Sequence, residues 1–357
     1  MNREVKASPT NTDAVFQPEQ IKAELDFSFI QTHLVPPPRF ALSSLENYIS
    51  HPDFPSQLAA KESLHLFIAA LNLNGFEKLF RFIRHEKSGL YLDGAFGVGK
   101  THLLAAAYHA AQTPAKAYLS FTELMYLIGF LGLEKCAAAL KKYQLICIDE
   151  FELDDPGNTM MSLGFLTRMF DAGVRIVATS NTPPAKLGEG RFSASDFQRE
   201  IGDIANRFTA LRIDGRDYRE TKAPASAAST WKLQQPAEEL TLLYHAYQPD
   251  ELTGGKKFFA TLSELASLLL RFHPMHYFEI AEMLEALFLA DVHAFDNQFD
   301  ALRFVYFIDK LYDDRVKIFA STSVSIEAVF PDEFYKSAYA KKYLRCRSRL
   351  GEICRTS

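Results

Sequence analysis

The feature that most constrains this chain is a glycine-rich stretch from Gly94 to Thr101. It matches G-x-x-x-x-G-K-[ST], the pattern of a loop that cradles phosphate groups. A short apolar run that predicts a buried strand precedes it, and residues 102–111, rich in strong helix formers, follow it. Strand, glycine loop and helix therefore stand in the order that a phosphate cradle requires. The alternative is a glycine-rich turn that binds no ligand.

The residue types of this loop suit a nucleotide triphosphate. Glycines allow positive φ angles and let backbone N–H groups approach phosphate oxygens closely, and the start of the following helix adds the positive end of its dipole. We expect Lys100 to reach the β and γ phosphates and the Thr101 hydroxyl to bind Mg²⁺. The predicted nucleotide-binding residues are Gly94, Ala95, Phe96, Gly97, Val98, Gly99, Lys100 and Thr101.

A second strand is predicted over 116–121, and two adjacent carboxylates follow a third, apolar strand, Leu145 to Ile148. Asp149 and Glu150 stand at its carboxyl end, where parallel sheets bind their ligands, and Asp149 comes 49 residues after Lys100. We predict that Asp149 holds Mg²⁺, directly or through water, and that Glu150 orients the attacking water.

Asn181 ends a further apolar strand, which begins at Val174. It precedes Thr182 and then Pro183-Pro184, which prevent the strand from continuing. At the strand tip beside Asp149, the Asn181 amide is expected to contact the γ phosphate or the water. Simple turn chemistry before the two prolines is the alternative.

Two arginines are candidates for a residue that completes the site of a neighbouring subunit. Arg199 and Arg207 lie in a predicted helix, 195–208, that leads into a fifth strand, 209–213. Either could stabilise transition-state charge as an arginine finger. The alternative for each is an ordinary surface cation.

A helix predicted over 56–71 leads toward the phosphate loop, with Pro55 in its first turn. Ser56 or Gln57, at its start, could approach a bound base. The favoured interpretation is a helix cap and a surface glutamine.

Composition limits the classes of protein to consider. The 357 residues are 48% hydrophobic and 23% charged, which is typical of soluble globular proteins, and the longest apolar stretches are too short to span a bilayer. The four cysteines show no C-x-x-C pairing, and no secretory signal is evident, so we expect a cytoplasmic protein.

A net charge of −5 argues against nucleic acid as a partner. We interpret the basic run 341–349 as a solvated helix face.

Five strands with interleaved helices and polar strand tips predict an α/β fold of the P-loop NTPase class, AAA+-like, with a parallel five-stranded sheet and a smaller C-terminal α/β subdomain. The predicted divisions are a flexible tail over 1–35, a P-loop ATPase domain over 36–220, a connector over 221–256 and a C-terminal α/β domain over 257–357.

The C-terminal region repeats a pattern of the first domain. Residues 287–323 can be laid on 145–181 without a gap, at a constant offset of 142, and both copies read strand, helix, strand. In this alignment Asp291 matches Asp149, whereas Val292 stands in place of Glu150. We therefore predict a catalytically silent α/β unit; common α/β patterning without shared origin is the alternative explanation.

The chain resembles the ZapE family of cell-division ATPases and their mitochondrial relatives from about residue 36 to residue 353. The segments that carry the resemblance are 36–40, 55–57, 94–101, 148–151, 177–184, 198–200, 217–219, 307–316 and 348–352. The resemblance implies an ATPase with ATP and Mg²⁺ as ligands, acting in a homo-oligomer on a protein partner. For the bacterial branch the resemblance implies the division-ring protein FtsZ as that partner, and for the mitochondrial branch it implies a role in protein quality control.

Two other functions fit parts of the pattern. A DNA-handling ATPase of the helicase-loader or initiator type also has Gly-Lys-Thr-His-Leu-Leu, the sequence of residues 99–104, although the acidic net charge counts against it. A nucleotide-gated scaffold would need binding but little turnover.

Overall fold

The computed structural model divides the chain into two compact units, Asp26–Ala223 and a second unit composed of Met1–Leu25 with Pro224–Ser357. The residues whose structure is described are 14–21, 27–72, 87–153, 156–187, 198–216, 229–250 and 252–356. Within these ranges, no helix combines the length and the apolar character needed to cross a bilayer.

The unit Asp26–Ala223 is built on a five-stranded sheet in which every neighbouring pair is parallel. Its strands are β1 (Gly89–Gly94), β2 (Lys116–Ser120), β3 (Leu145–Asp149), β4 (Arg175–Ser180) and β5 (Phe208–Ile213), in the order β2-β3-β4-β1-β5. All five residues of β3 are buried, as expected for a central strand of a parallel sheet covered on both faces. The predicted parallel five-stranded core is confirmed.

Seven helices of this unit lie in the described ranges: α1 (Phe27–Thr32), α2 (Pro55–Leu71), α3 (Lys100–Ala110), α4 (Phe121–Leu131), α5 (Leu133–Leu140), α6 (Pro156–Asp171) and α7 (Gln198–Arg207). Helix α3 packs against β1, β3 and β4. Its inner residues 103–107 are fully buried, and three of them are alanines, which let the helix lie close to the sheet. The phosphate loop therefore joins two rigid, deeply buried elements.

The second unit is also a parallel α/β unit, as predicted. Its strands are β6 (Thr230–Leu233), β7 (Lys256–Thr261), β8 (Leu284–Val292), β9 (Lys317–Thr322) and β10 (Arg355–Thr356), in the order β10-β6-β9-β8-β7. Its helices are α8 (Ala237–Ala246), α9 (Leu262–Arg271), α10 (Tyr277–Met283), α11 (Gln298–Asp313) and α12 (Ala340–Ile353).

The two sheets have the same topology. Each strand from β6 to β10 occupies the position of its counterpart from β1 to β5, taken in chain order. The predicted offset of 142 holds at both ends of α6 and α11 and of β4 and β9. Near the ends of β3 and β8, the residue with a left-handed backbone is Glu150 (φ 54°) in the first sheet and Asp291 (φ 53°) in the second, so the offset there is 141 instead of 142. The repeat thus extends beyond the segment identified from sequence to the whole strand order.

The first 35 residues differ from the predicted tail wherever the structure describes them. Phe16 is buried, its N–H donates to the Lys257 carbonyl at 3.0 Å, and its ring packs edge-on against Phe258. Further along, the Leu34 carbonyl accepts a hydrogen bond from the N–H of Tyr118 at 2.9 Å. Apart from the short helix α1, the described apolar residues such as Phe16 and Leu34 are buried singly, so the segment lacks the periodicity that predicts longer elements. Residues 1–13 lie outside the described part of the chain.

The predicted connector 221–256 is also different from expectation where it is described. Strand β6 lies between β9 and β10 in the second sheet, and Trp231 in it is buried. The strand has four residues, too few for a clear alternating pattern. Residues 230–233 therefore form a strand of the second sheet rather than part of a link between two domains.

The basic run 341–349 is only partly a solvated face. Arg345 and Arg349 turn inward from α12, and their guanidinium groups contact the two carboxylate oxygens of Asp309 on α11, each at 2.6 Å. The side chains of Arg345, Arg349 and Asp309 are 16%, 14% and 8% exposed. This buried ion triad ties the last helix to the second unit.

Candidate nucleotide-binding site

The phosphate loop connects the end of β1 to the start of α3. Gly97 and Gly99 have φ angles of 70° and 91°, in the left-handed region that glycine adopts without strain. Gly99 is the N-terminal cap residue of α3, so the first N–H groups of that helix lack intrahelical partners and can bind an anion. Within the loop, Val98 is fully buried and Phe96 is 42% exposed.

Gly94 lies at the point where the backbone of β1 approaches the end of β5. A Cβ atom there would meet the Ile213 carbonyl oxygen at 2.2 Å. We predict that Gly94→Ala lowers the free energy of unfolding by about 1–3 kcal/mol, because a strand must shift to remove the overlap. Gly129→Ala, inside α4 with open space around its Cβ position, is the control and should be neutral or slightly stabilising. Urea unfolding curves of the two variants test this, and equal stabilities would contradict it.

The ammonium group of Lys100 is held by three oxygen acceptors. Its Nζ donates to the carbonyls of Gly94 at 2.9 Å and Ala95 at 2.6 Å and to Oδ1 of Asn181 at 2.9 Å. These are as many acceptors as the group has N–H donors, and phosphate oxygens would compete for the same donors. Two residues predicted for the site, Lys100 and Asn181, are therefore in direct contact across the ends of neighbouring strands.

The carboxylate of Asp149 is buried and fixed by surrounding donors. Tyr118 donates its hydroxyl to Oδ2 at 3.0 Å, and Thr179 donates its hydroxyl to Oδ1. The Thr101 hydroxyl donates to Oδ1 at 3.3 Å, so the two residues predicted to bind Mg²⁺ are adjacent. A hydroxyl and a carboxylate beside a phosphate cradle fit Mg²⁺, which is usually bound by one or two protein oxygens together with phosphate and water. Sequence reasoning missed Tyr118 and Thr179, which occupy ordinary strand positions.

Glu150 stands immediately beyond β3 in a left-handed conformation, with φ 54°. That conformation costs a non-glycine residue roughly 1–2 kcal/mol. It is held in place because the Glu150 N–H donates to the Thr179 hydroxyl at 3.0 Å and the next N–H, of Phe151, donates to the Thr179 carbonyl at 2.7 Å. Strain of this kind is often found at functional sites, where the surrounding structure compensates for it.

A third carboxylate, Glu152, joins the site although sequence reasoning did not identify it. The Nδ2 group of Asn181 donates to its Oε1 at 3.3 Å, and Glu152 is 9% exposed. The only sequence signal was a further acidic residue two positions after Glu150. Its position depends on the sharp turn at Glu150, which the sequence alone does not reveal.

Asp93, the residue before Gly94, adds a buried carboxyl group below the loop. Loss of hydration on burial raises the pKa of Asp93, while the charges of Arg212 and Lys100 act in the opposite direction. Burial therefore disfavours the ionised form of this carboxyl group relative to its form in water.

A segment preceding α2 covers the phosphate loop. Tyr48 donates its hydroxyl to the Val98 carbonyl at 3.2 Å, and a Cβ atom on Gly99 would meet the Tyr48 ring at 2.7 Å. The His102 ring contacts the Ser44 carbonyl at 3.1 Å. The residue after the loop threonine thus helps to fix this covering segment.

Gln57 is fully buried rather than a surface residue. Its Oε1 accepts from the His51 N–H at 2.8 Å and its Nε2 donates to the Asp214 carbonyl at 2.9 Å. Ser56 accepts from the Asp214 N–H at 2.9 Å. Both side chains therefore connect α2 to the segment after β5, which favours a structural role over contact with a base.

The two arginine candidates do not contact the loop of their own chain. Arg207 pairs with Asp171 at 2.9 Å and precedes Phe208, which lies opposite Gly89 at the far end of β1 from the loop. A strand of this length separates the two ends by about 20 Å. Arg199 is exposed in the first turn of α7.

Two relatives illustrate what this chain is similar to. "Cell division protein ZapE" of Escherichia coli K12 is 25% identical over 299 residues, covering 74% of this chain and 77% of that protein. "Lactation elevated protein 1 homolog B" of Danio rerio is 23% identical over 278 residues, covering 66% of this chain and 55% of that protein.

Solved structures give more distant likenesses. A "DNA replication initiation factor" aligns with a TM-score of 0.39 at 12% identity, covering 88% of this chain and 87% of that one. "Replication initiator DnaA bound to AMPPCP and single-stranded DNA" aligns with a TM-score of 0.37 at 13% identity, covering 87% of this chain and 92% of that one. TM-scores this low support no conclusion about the ligands of this chain. They do not support the prediction that nucleic acid is not a partner.

The model of one protein family, AFG1-like ATPase, matches residues 28–356. This range includes the phosphate loop and both parallel sheets. Together with the ZapE relative, it confirms the resemblance that the sequence motifs indicated. The chain therefore belongs to the AFG1-like ATPase family.

Proposed function

We propose that this protein is a Mg²⁺-dependent ATPase that binds ATP at residues 94–101. The observation that supports this best is the convergence of Lys100, Thr101, Asp149 and Asn181 at the carboxyl edge of one sheet, through the contacts Lys100–Asn181 and Thr101–Asp149. The family match supports the same activity. In this proposal the loop amides and Lys100 bind the phosphates, and Thr101 and Asp149 hold Mg²⁺, which supplies charge stabilisation when bound.

Glu150 and Asn181 are assigned to the reacting end of the nucleotide. The Glu150 carboxylate orients and polarises the attacking water, and the Asn181 amide contacts the γ phosphate. Two observations support these roles. Glu150 forms a left-handed turn immediately after β3, and Asn181, immediately after the neighbouring strand β4, accepts a hydrogen bond from Lys100 of the phosphate loop.

Lys100→Ala tests the binding site. We expect the affinity for ATP to fall about 100-fold, because charge-assisted hydrogen bonds contribute about 1.5–3 kcal/mol each. Lys87→Ala removes a lysine near the opposite end of β1, where Nζ donates to the Phe208 carbonyl, and should leave the affinity near that of wild type. Equilibrium binding of a fluorescent ATP analogue measures both, and equal affinities would refute the assignment of Lys100.

We further propose that turnover drives a conformational change that is passed to a protein partner in cell division, in the cytoplasm. The similarity to the Escherichia coli cell division protein ZapE supports a division role, and FtsZ is the specific partner that the ZapE resemblance suggests. Co-sedimentation of the purified protein with FtsZ polymers, with and without ATP, tests this. Salt-dependent binding to DNA, with no effect on FtsZ, would favour the DNA-handling alternative.

We also propose that the protein acts as a homo-oligomer in which Arg199 or Arg207 reaches the site of a neighbouring copy. The location of Arg207 far from its own loop supports action on another subunit, although its ion pair with Asp171 must then open. The ATPase rate per subunit should rise steeply with protein concentration. A rate independent of concentration would contradict shared sites.

A further inference from the structure

Both ends of the Asn181 side-chain amide are engaged, one by a cation and the other by a carboxylate. Oδ1 accepts from Lys100 at 2.9 Å, and Nδ2 donates to Glu152 at 3.3 Å. We propose that Glu152 is a positioning residue for the γ-phosphate end of the site, acting through Asn181. This inference rests on the proposed ATPase function.

The chemistry of the three groups fixes the orientation of the amide. A lysine ammonium only donates hydrogen bonds and an ionised carboxylate only accepts them, so Oδ1 must face Lys100 and Nδ2 must face Glu152. Without Glu152, the amide would be held at one end only and could rotate. A rotated amide would turn its NH₂ group toward the ammonium, which is unfavourable.

The orientation matters because Nδ2 carries two hydrogens. One of them is directed at Glu152, so the second has a defined direction and remains available for a phosphate oxygen. A contact made only with the γ phosphate distinguishes ATP from ADP. Glu152 therefore affects steps that involve the γ phosphate and leaves binding of the other two phosphates unchanged.

Rigid surroundings hold Glu152 in this position. The preceding residue, Phe151, is buried, its N–H donates to the Thr179 carbonyl at 2.7 Å, and its ring packs against Phe121 and Tyr91 with centroid distances of 5.0 and 6.3 Å. A carboxylate that is 9% exposed carries a large loss of hydration, which an apolar residue of similar size would avoid. An apolar residue could not accept the hydrogen bond from Asn181, so this contact is what the buried carboxylate contributes.

Four variants test the proposal: Glu152→Ala, Glu152→Gln, Asn181→Ala and the double variant Glu152→Ala/Asn181→Ala. For Glu152→Ala we expect a kcat about tenfold below wild type, with an ADP affinity within about twofold of wild type. Glu152→Gln should recover most of the rate, because its amide oxygen can accept the same hydrogen bond. Asn181→Ala should lose at least as much rate, and the double variant should lose no more than Asn181→Ala alone.

Three results would overturn the proposal. They are parallel losses of ATP and ADP affinity in Glu152→Ala, equal rates for Glu152→Gln and Glu152→Ala, and a double variant whose loss is the product of the single losses. Glu152 variants that match wild type would also overturn it and leave the ATPase function intact. A wild-type protein without turnover would instead refute the ATPase function itself.

Discussion

Glu150→Gln is expected to bind ATP within about twofold of wild type and to hydrolyse it about 100- to 1,000-fold more slowly. The amide keeps the size of the side chain but cannot act as a base or polarise water as a carboxylate does. The backbone at this position is held by the Thr179 hydroxyl through the Glu150 N–H, so the substitution leaves the turn in place. Equilibrium binding and steady-state phosphate release measure the two effects separately.

Glu134→Gln is the matched control for this prediction. Glu134 is an exposed acidic residue of the same unit, paired with Arg168, and its substitution should leave both binding and rate unchanged. Normal hydrolysis by Glu150→Gln would remove Glu150 from its proposed role. If the variant hydrolyses slowly but still supports the proposed cellular role, nucleotide binding without turnover is sufficient, as the scaffold alternative requires.

Asp309→Ala is expected to lower the free energy of unfolding of the second unit by about 3–5 kcal/mol. The substitution removes the buried carboxylate that the guanidinium groups of both Arg345 and Arg349 contact. Asp300→Ala, on the same helix, removes a more exposed partner of Arg303 and should cost about 1 kcal/mol or less. Urea unfolding followed by circular dichroism compares the two, and similar losses for both would contradict a structural role for the triad.

This triad also explains two motifs that lie outside the phosphate loop. Segments 307–316 and 348–352 carry much of the family resemblance. The structure joins them through the Asp309–Arg349 ion pair and through the Tyr312 hydroxyl, which donates to Glu352 at 2.5 Å. Their residues hold α12 against α11. We therefore expect substitutions there to change stability before they change nucleotide binding.

The phosphate loop, Asp149 and the parallel core could be predicted because each is a local pattern. Glycine spacing fixes a loop between strand and helix, and an apolar run followed by an acid fixes a strand tip. The placement of Asn181 at the same sheet edge as Asp149 followed from parallel strand tips, whereas its hydrogen bond to Lys100 is known only from the structure. These inferences needed no knowledge of distant contacts.

Other features depended on contacts between residues far apart in the chain. The approach of Glu152 to Asn181 requires the left-handed turn at Glu150, and nothing in the sequence marks a glutamate as left-handed. The sequence predicts a tail around Phe16, because this residue docks on β7 by itself, outside any periodic element. The sequence likewise predicts a solvated Arg345, because its partner, Asp309, is on another helix.

The repeated topology bears on how many nucleotides each chain binds. In the second unit, the turn between β6 and α8 corresponds to the phosphate loop, and two hydrogen bonds tie it to β9. The Ser321 hydroxyl donates to the Gln235 carbonyl at 2.6 Å, and the Thr322 carbonyl accepts from the Gln234 N–H at 2.7 Å. Helix α8 then begins with Glu238 and Glu239 in its first turn, where negative charge repels phosphate. We therefore expect nucleotide to bind the first unit alone.

Calorimetric titration of ATP into the purified 357-residue protein tests the central claim, that a triphosphate binds at residues 94–101 with a metal ion held by Thr101 and Asp149. We predict that about one ATP binds per chain in the presence of Mg²⁺, and that binding weakens sharply after the metal is removed or in the Lys100→Ala variant. Failure of the wild-type protein to bind ATP with Mg²⁺ present, or equally tight binding by the Lys100→Ala variant, would contradict it.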